Sequence, residues 1–135
     1  MRVSKDLVAA SATPIVLGVL STGEDYGYSL LRRITEASGG ALEWSEGMLY
    51  PLLHRLERQG LIASRWGEAP EGGRRRKYYA ITELGRAELA GQASQWRAVV
   101  DTLESILPGT RTSAAFQAPA IASASGAAPG PREAR

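Results

Sequence analysis

Apolar residues recur at helical spacing along most of the chain, and the clearest stripe lies near its middle. Residues at i, i+3, i+4 and i+7 share one face of an α-helix, so this spacing predicts a helix buried along that face. Ser45 is suited to cap the N-terminus of this helix, and Gly60 is suited to end it. The stripe consists of four leucines: Leu49, Leu52, Leu53 and Leu56.

Three further helical segments are predicted ahead of the leucine stripe, and the first two of them are joined. Pro14 follows a threonine that can cap a helix, which favours a helix over residues 15–20. Residues 3–12 then form a preceding helix joined to it at the proline. Asp25 is the predicted cap of the next helix, over residues 26–38, which two glycines end.

A hairpin and a long helix are predicted after Gly60. The strands cover residues 61–66 and 77–82, and the segment between them contains the proline and glycines that favour turns. Thr82 then caps a helix that extends to residue 107. The order helix, helix, helix, hairpin, long helix is that of a winged helix-turn-helix. The predicted fold class is therefore mainly α with a small β-hairpin.

Three segments follow from this pattern. Residues 1–82 form the winged helix-turn-helix, and residues 83–107 form the long helix. Residues 108–135 consist mainly of Ala, Pro, Ser and Gly, so they have too few large apolar side chains to offset the entropy lost on ordering. We expect this last segment to be a disordered tail.

Composition excludes several kinds of site. The chain has no cysteine, so neither a disulfide framework nor a thiolate metal site is available, and its one histidine, His54, excludes an imidazole-rich metal centre. We expect no metal and no cofactor. The apolar run over residues 7–20 is shorter than the roughly 20 residues that a membrane span needs. It is therefore interpreted as a core helix of a soluble, cytoplasmic protein that makes no membrane contact.

Charge is concentrated in one region. The net charge is +2, yet residues 1–107 contain 13 Lys and Arg against 13 Asp and Glu. Within residues 54–79, seven cations face three acids. Any binding of nucleic acid must therefore depend on this segment.

The face of the third helix opposite its leucines carries hydroxyl, imidazole and guanidinium donors and no acid. Such groups read base edges and phosphates when a helix enters the major groove. An ordinary solvated helix face is the alternative. The residues on this face are Gly47, Tyr50, Pro51, His54 and Arg58.

Four consecutive cations in the hairpin favour the DNA-binding interpretation over a solvated loop. Arg74, Arg75, Arg76 and Lys77 repel one another unless an anion lies nearby, and the adjacent glycines allow the loop to conform to one. Strand alternation places the next two tyrosines on opposite faces, so one packs on the core while the other can contact backbone sugar. Trp44, Tyr26 and Tyr28 are predicted core residues.

The long last helix carries a heptad seam, whose apolar residues step by 4, 3, 4, 3 and 4. A lone helix cannot bury such a seam, which indicates either dimerisation or packing against the helix's own domain. Trp96 lies in the middle, where it is either a core anchor or one wall of a site that stacks a planar ligand. The seam consists of Leu89, Ala93, Trp96, Val100, Leu103 and Leu107.

Three segments resemble the defining segments of the PadR family of transcriptional regulators: YGYSLLRRI, SEGMLYPLLHRLERQGLI and GGRRRKYYAITELGRAEL. The resemblance covers residues 7–107, including the order and spacing of all segments, and the single helix after the wing is similar to the short subgroup. It implies a dimeric bacterial winged-helix protein, in most members a repressor. Met48 departs from the family, in which threonine is common there.

The resemblance also implies the roles of particular residues. Ser45, Gly47, Tyr50, Pro51 and His54 would lie on the recognition helix, and the basic wing would consist of Arg74, Arg75, Arg76, Lys77 and Tyr78. Dimerisation through the last helix would pair two recognition helices on a pseudo-palindromic operator, with half-sites about one helical turn apart. Some relatives bind aromatic or drug-like effectors around this interface, where Trp96 would lie.

Two function classes compete with a DNA-binding repressor. A winged-helix protein-interaction module would use the basic wing to bind an acidic partner, and it would show no preference for one duplex sequence over another. An enzyme would need a nucleophile, a phosphate loop or metal-ligand spacing beside Glu43, Glu46 and His54, and the sequence contains none of these. We therefore predict no catalytic residues.

Overall fold

The computed structural model describes residues 1–109 and contains four helices and three strands in that range. The strands form one antiparallel sheet in the order β1-β3-β2. Helices with a small sheet confirm the predicted fold class. The predicted tail lies outside the described residues from position 110 onward. The elements are α1 (Lys5–Leu20), β1 (Asp25–Tyr26), α2 (Gly27–Ala37), α3 (Glu46–Arg58), β2 (Ile62–Glu68), β3 (Arg75–Ile81) and α4 (Glu83–Ile106).

The first helix is continuous through Pro14, so the prediction of two helices joined at that residue is wrong. Ser4 caps it, and its hydroxyl accepts a hydrogen bond from the Leu7 amide at 3.3 Å. Proline removes one backbone donor from a helix, yet α1 buries one apolar face on both sides of Pro14, formed by Val8, Ala12, Val16, Leu17 and Leu20. Burial of that face offsets the missing hydrogen bond. Within residues 1–109, none of the helices is both long enough and apolar enough to span a bilayer.

Asp25 does not cap α2 as predicted, because it lies in β1, a strand that the sequence pattern did not reveal. Its carboxylate accepts hydrogen bonds from the Tyr26 amide at 2.9 Å, the Ser29 hydroxyl at 2.7 Å and the Arg33 guanidinium at 2.8 Å. Arg33 also donates to the Thr22 hydroxyl at 2.8 Å. Asp25 thus joins β1 to α2, and its partner Arg33 extends this link to the residues at the end of α1.

The leucine stripe of α3 forms the centre of the core, as predicted. Leu49, Leu53 and Leu56 have no exposed surface, and Leu52 is 5% exposed. They belong to one core cluster with four residues of α1, with Leu30 and Ile34 of α2, and with Ile62 and Tyr79 of the sheet. The four residues of α1 are Ala12, Val16, Leu17 and Leu20. Ser45 is the predicted cap, and its hydroxyl accepts from the Met48 amide at 3.2 Å. Gly60 has a φ of +79°, which suits glycine at the end of the helix.

The hairpin of β2 and β3, with the loop between them, is the wing (residues 62–81). Its strands extend closer to the tip than predicted, with pairing from Ile62–Ile81 to Glu68–Arg75. At the opposite edge, β3 pairs with β1 through Tyr78 and Tyr79. The sheet therefore connects the wing directly to the residues that precede α2.

The fourth helix begins where predicted. The Thr82 hydroxyl accepts from the Gly85 amide at 3.0 Å and donates to the Gly60 carbonyl at 2.6 Å. A Cβ at Gly85 would lie 2.1 Å from the Leu61 carbonyl oxygen, so only glycine permits this close approach. Residues 1–89 form one compact unit, and α4 continues into a second unit from Ala90.

Loss of the Asp25 charge should destabilise the protein in a pH-dependent way. Burial by itself raises the pKa of Asp25, but the hydrogen bonds from Ser29, Arg33 and the Tyr26 amide outweigh it, so the pKa lies below its ordinary value of 3.8. A lowered pKa contributes stability above the ordinary value and loses it as the pH falls through the folded-state pKa. We expect Asp25→Asn to lower the free energy of unfolding by about 1–2 kcal/mol at pH 7.

Urea unfolding of both proteins between pH 7 and pH 2.5 measures this difference. The two curves should converge at the acidic end, because protonated aspartic acid and asparagine are both neutral. A difference that stays constant across this range would show that the Asp25 charge does not stabilise the fold.

Candidate nucleic-acid interface

A cleft of 430 Å³ lies between the wing on one side and α3 with the start of α2 on the other, and we call it the α3–wing cleft. None of its ten lining residues, all within the described part of the chain, is acidic. Five are aromatic, three are cations, and one is the histidine. They are Tyr26, Gly27, Tyr28, Tyr50, His54, Trp66, Arg75, Arg76, Lys77 and Tyr79.

The polar face predicted on α3 lies outside the core. Gly47, Pro51, His54 and Arg58 are exposed, and His54 lines the cleft. Ser45 is also exposed, although its hydroxyl already caps the helix. The structure therefore leaves four residues of the predicted recognition face and Ser45 open to solvent, and of these His54 lines the cleft.

Tyr50 differs from the other residues of this face because it is only partly exposed. A Cβ built at Gly27 would lie 2.2 Å from its phenolic oxygen, so Tyr50 occupies the space that the glycine leaves at the start of α2. Burial is the main cause that raises the pKa of Tyr50, and the nearby Glu46 carboxylate raises it further. Tyr50 thus packs between the two helices while its ring forms one wall of the cleft.

The four wing cations do not share one environment. Arg74 and Arg75 are exposed, whereas Arg76 and Lys77 are partly buried. Arg76 forms an ion pair with Glu71. Lys77 Nζ lies 5.7 Å from the centroid of the Tyr79 ring. The wing therefore presents two exposed arginines and two cations that the protein itself contacts.

Alternation along β3 separates the two tyrosines as predicted. Tyr79 is 1% exposed and belongs to the core. Tyr78 lies on the opposite face, where its hydroxyl donates to the Glu68 carbonyl at 2.9 Å. Its ring meets Tyr26 edge to face. Tyr78 is thus held within the sheet by both its hydroxyl and its ring.

Three aromatic residues of the cleft were missed by the sequence analysis. Tyr26 was assigned to the core, but it is partly exposed and lines the cleft. Trp66 is 58% exposed and pairs with Lys77 across the hairpin. Tyr28 was assigned to the core, but it is 59% exposed, with the Arg32 guanidinium 5.7 Å from its ring centroid. Strand alternation from the buried Ile62 places Trp66 on the same face of the sheet as Tyr79. Alternation does not show where along β2 the core ends, so the exposure of Trp66 could not be predicted from it.

The seam of α4 is only partly covered in a single chain. Leu89 packs against the core of the first unit. In the second unit, Ala93, Trp96 and Val100 are half-buried, and Leu103 and Leu107 are exposed. Val99 and Ile106 on the flank are also exposed. The C-terminal part of α4 therefore leaves apolar side chains open to solvent.

Comparison with known proteins identifies the family. The model of the PadR-like family of transcriptional regulators matches residues 16–91, which contain α2, α3, the wing and the start of α4. The chain belongs to that family. PadR-like regulators are DNA-binding proteins rather than enzymes, and this chain is accordingly a transcriptional regulator.

Relatives of this family support the same assignment. The chain is similar to the crystal structure of a PadR-like transcriptional regulator from Bacillus cereus, with a TM-score of 0.70 and 29% identity over 78% of this chain and 100% of that one. An uncharacterized protein of Lysinibacillus sphaericus is 29% identical over 79% of this chain and 97% of its own length. The transcriptional regulator YqjI of Escherichia coli is 37% identical over 53% of this chain, but the match covers only 32% of YqjI.

Proposed function

We propose that this chain is a homodimeric, sequence-specific repressor that binds a pseudo-palindromic operator in double-stranded DNA. The observation that carries the proposal is the α3–wing cleft, in which the recognition helix and the basic wing face the same solvent-filled space. A duplex seated there would contact α3 through a groove and the wing through its phosphates. Such a regulator acts in the cytoplasm, on genes near its own.

The lining of the cleft supports a polyanionic partner. Arg75, Arg76 and Lys77 lie on consecutive positions of one strand, and no carboxylate lines the cleft. Among the described residues, only Arg76 of these three forms an ion pair, with Glu71 in the wing loop. Cations this close repel one another. Phosphates opposite them would offset this repulsion, and the neutralised DNA would release its bound counterions, which favours binding. His54 on α3 faces the same space and can donate to a base edge or a phosphate.

Helix α3 has room for close approach to DNA. Gly47, Pro51, His54 and Arg58 are exposed along one side, and only the Ser45 side chain, at 3.8 Å, comes within 4 Å of a Cβ built at Gly47. A surface of this kind can enter a major groove, whose width accommodates one α-helix. The sequence-reading residues of the proposed interface are therefore on α3, and the wing supplies affinity and register.

The exposed apolar residues of α4 support dimerisation. Leu103 and Leu107 continue the heptad seam of Leu89, Ala93, Trp96 and Val100, and exposed apolar stripes at this spacing are typical of paired helices. A second copy of α4 would cover them. Two copies related by a twofold axis would then present two α3 helices to two half-sites.

The alternative is a module that binds an acidic protein through the same basic wing. The observation that favours DNA is the continuity of the α3 face with the wing, since an acidic peptide would need only the wing. Sequence preference distinguishes the two, because a protein-interaction module would not favour one duplex over random competitor DNA.

Removal of the two exposed wing arginines should weaken DNA binding strongly. We expect the double variant Arg74→Ala with Arg75→Ala to bind a duplex from its own promoter at least about tenfold more weakly than wild type at 100 mM salt. The matched control is Lys5→Ala with Arg86→Ala, which removes the same charge from exposed positions outside the cleft.

Fluorescence anisotropy with a labelled duplex, in the presence of excess random DNA, measures both variants. The control should stay within about twofold of wild type, since distant exposed charges are screened at this salt concentration. Equal losses in the two variants would contradict the wing assignment. Loss of all wild-type binding under random competitor would favour the protein-interaction module.

An aromatic effector would relieve repression by binding at Trp96. The indole is half-buried in the middle of the seam, so two copies in a dimer would flank a planar ligand. Such a ligand would change the spacing of the two wings and so reduce their fit to the operator.

Tryptophan emission tests the effector proposal. Planar aromatic compounds should quench the emission of wild type, and Trp96→Leu should abolish that quenching while Trp44 and Trp66 still emit. A panel in which no compound quenches in a Trp96-dependent manner would leave Trp96 as a packing residue of the dimer.

A further inference from the structure

Two arginines and two tyrosines form a continuous stack on one face of the sheet, which we call the tyrosine–arginine ladder (Arg65, Tyr78, Tyr26 and Arg76). The Arg65 guanidinium lies 5.0 Å from the ring centroid of Tyr78. Tyr78 meets Tyr26 edge to face, with 5.8 Å between ring centroids. The Arg76 guanidinium lies 4.2 Å from the centroid of Tyr26. These distances are those of attractive cation–π and aromatic interactions.

The ladder crosses all three strands. Arg65 belongs to β2, Tyr78 and Arg76 to β3, and Tyr26 to β1. Because Tyr26 is followed at once by α2, the ladder connects the wing to the first helix of the helix-turn-helix. Any change in the angle between the wing and α2 would separate these side chains.

A carboxylate closes each end of the ladder. Glu24 pairs with Arg65 and accepts hydrogen bonds from its Nε, at 3.1 Å, and its Nη2. The hydrogen bond from Arg65 lowers the pKa of Glu24. Glu71, in the loop at the tip of the wing, pairs with Arg76. The protein itself therefore compensates both arginine charges of the ladder.

A glycine makes room for this arrangement. Gly67 is paired with Arg76 across the hairpin. A Cβ at Gly67 would lie 2.6 Å from Nη1 of Arg65 and 3.1 Å from Cε2 of Tyr78. Because glycine has no side chain, the Arg65 guanidinium and the Tyr78 ring can lie over β2 at Gly67. Glycine at this position therefore leaves space for the ladder.

The remaining wing arginines lack such partners. Among residues 1–109, neither Arg74 nor Arg75 has a carboxylate within salt-bridge distance, and both side chains are exposed. Either can turn toward a phosphate without breaking an ion pair inside the protein. Arg76 could do so only by leaving both Glu71 and the Tyr26 ring.

We propose that Arg76 is a positioning residue that holds the wing at a fixed angle to α2, and that Arg74 and Arg75 bind the phosphates. This inference rests on the proposed DNA binding and refines the predicted interface, in which all four cations have the same role. A wing held in its bound orientation loses less entropy on binding than a free one. Removal of Arg76 therefore weakens binding although Arg76 itself does not touch DNA.

The dependence of affinity on salt separates the two roles. The slope of log K against log salt concentration falls by about 0.9 for each phosphate that the protein no longer neutralises, or about 1.8 for a dimer. We expect Arg75→Gln to lower the slope by this amount. We expect Arg76→Gln to bind about threefold to tenfold more weakly than wild type at an unchanged slope. Arg76→Lys, which keeps a cation between Glu71 and Tyr26, should restore most of the affinity.

A pair of acidic variants supplies an independent readout. Glu71→Gln and Glu68→Gln each remove one negative charge from the wing, so both should gain the same general attraction to DNA. Glu71 forms the ion pair with Arg76. Glu68 contacts the ladder through its backbone carbonyl, which accepts a hydrogen bond from the Tyr78 hydroxyl and is unchanged by the substitution. We expect Glu71→Gln to bind about threefold more weakly than Glu68→Gln.

Each outcome bears on a different statement. If Arg76→Gln lowers the slope as much as Arg75→Gln does, or binds as tightly as wild type, Arg76 is not a positioning residue. If Glu71→Gln binds more tightly than Glu68→Gln, Glu71 competes with DNA for Arg76, and the inference is again wrong. A wild-type chain that binds no duplex even at low salt would overturn the proposed function itself.

Discussion

The pairing of a two-residue strand with the wing is the constraint on which the rest of the structure depends. Asp25 and Tyr26 pair with Tyr79 and Tyr78 of β3, and α2 begins at the next residue. One face of β3 is anchored in the leucine core by Tyr79, and the other carries the Tyr26–Tyr78 ring pair. The wing is therefore fixed to the helix-turn-helix by backbone hydrogen bonds and by side chains on both faces.

This constraint gives the α3–wing cleft a defined width. A hairpin joined to α3 only through Gly60 could move relative to it, and two surfaces that move independently pay an ordering cost when one partner binds both. With the sheet in place, His54 on α3 and Arg75 on the wing face the same space before any ligand arrives. The arrangement suits a regulator that must recognise a groove and the adjacent phosphates together.

Much of the fold could be predicted from the sequence, because its signals are local. The leucine spacing, the Ser45 and Thr82 caps and the glycines of the wing each act within a few residues. The continuous α1 and the strand β1 could not be predicted, because long-range packing decides them. Burial of a whole helix face outweighs the hydrogen bond that Pro14 removes, and two residues become a strand only because β3 lies beside them.

Part of the candidate site could likewise be predicted from the sequence, and part of it could not. Helical periodicity was enough to place His54 and Arg58 on the exposed side of α3, and strand alternation was enough to place Tyr78 and Tyr79 on opposite faces of β3. Periodicity does not show which charges the protein compensates. The pairing of Arg76 with Glu71 and the exposure of Trp66 and Tyr28 follow from tertiary packing that no spacing rule contains.

The central claim is that two copies of this chain read one twofold-symmetric duplex through α3 and the wing. Selection of bound sequences from a pool of random duplexes tests it most directly. The account predicts an inverted-repeat consensus with half-sites about one helical turn apart. Recovery of a single unpaired half-site, or of no enriched sequence, would contradict it.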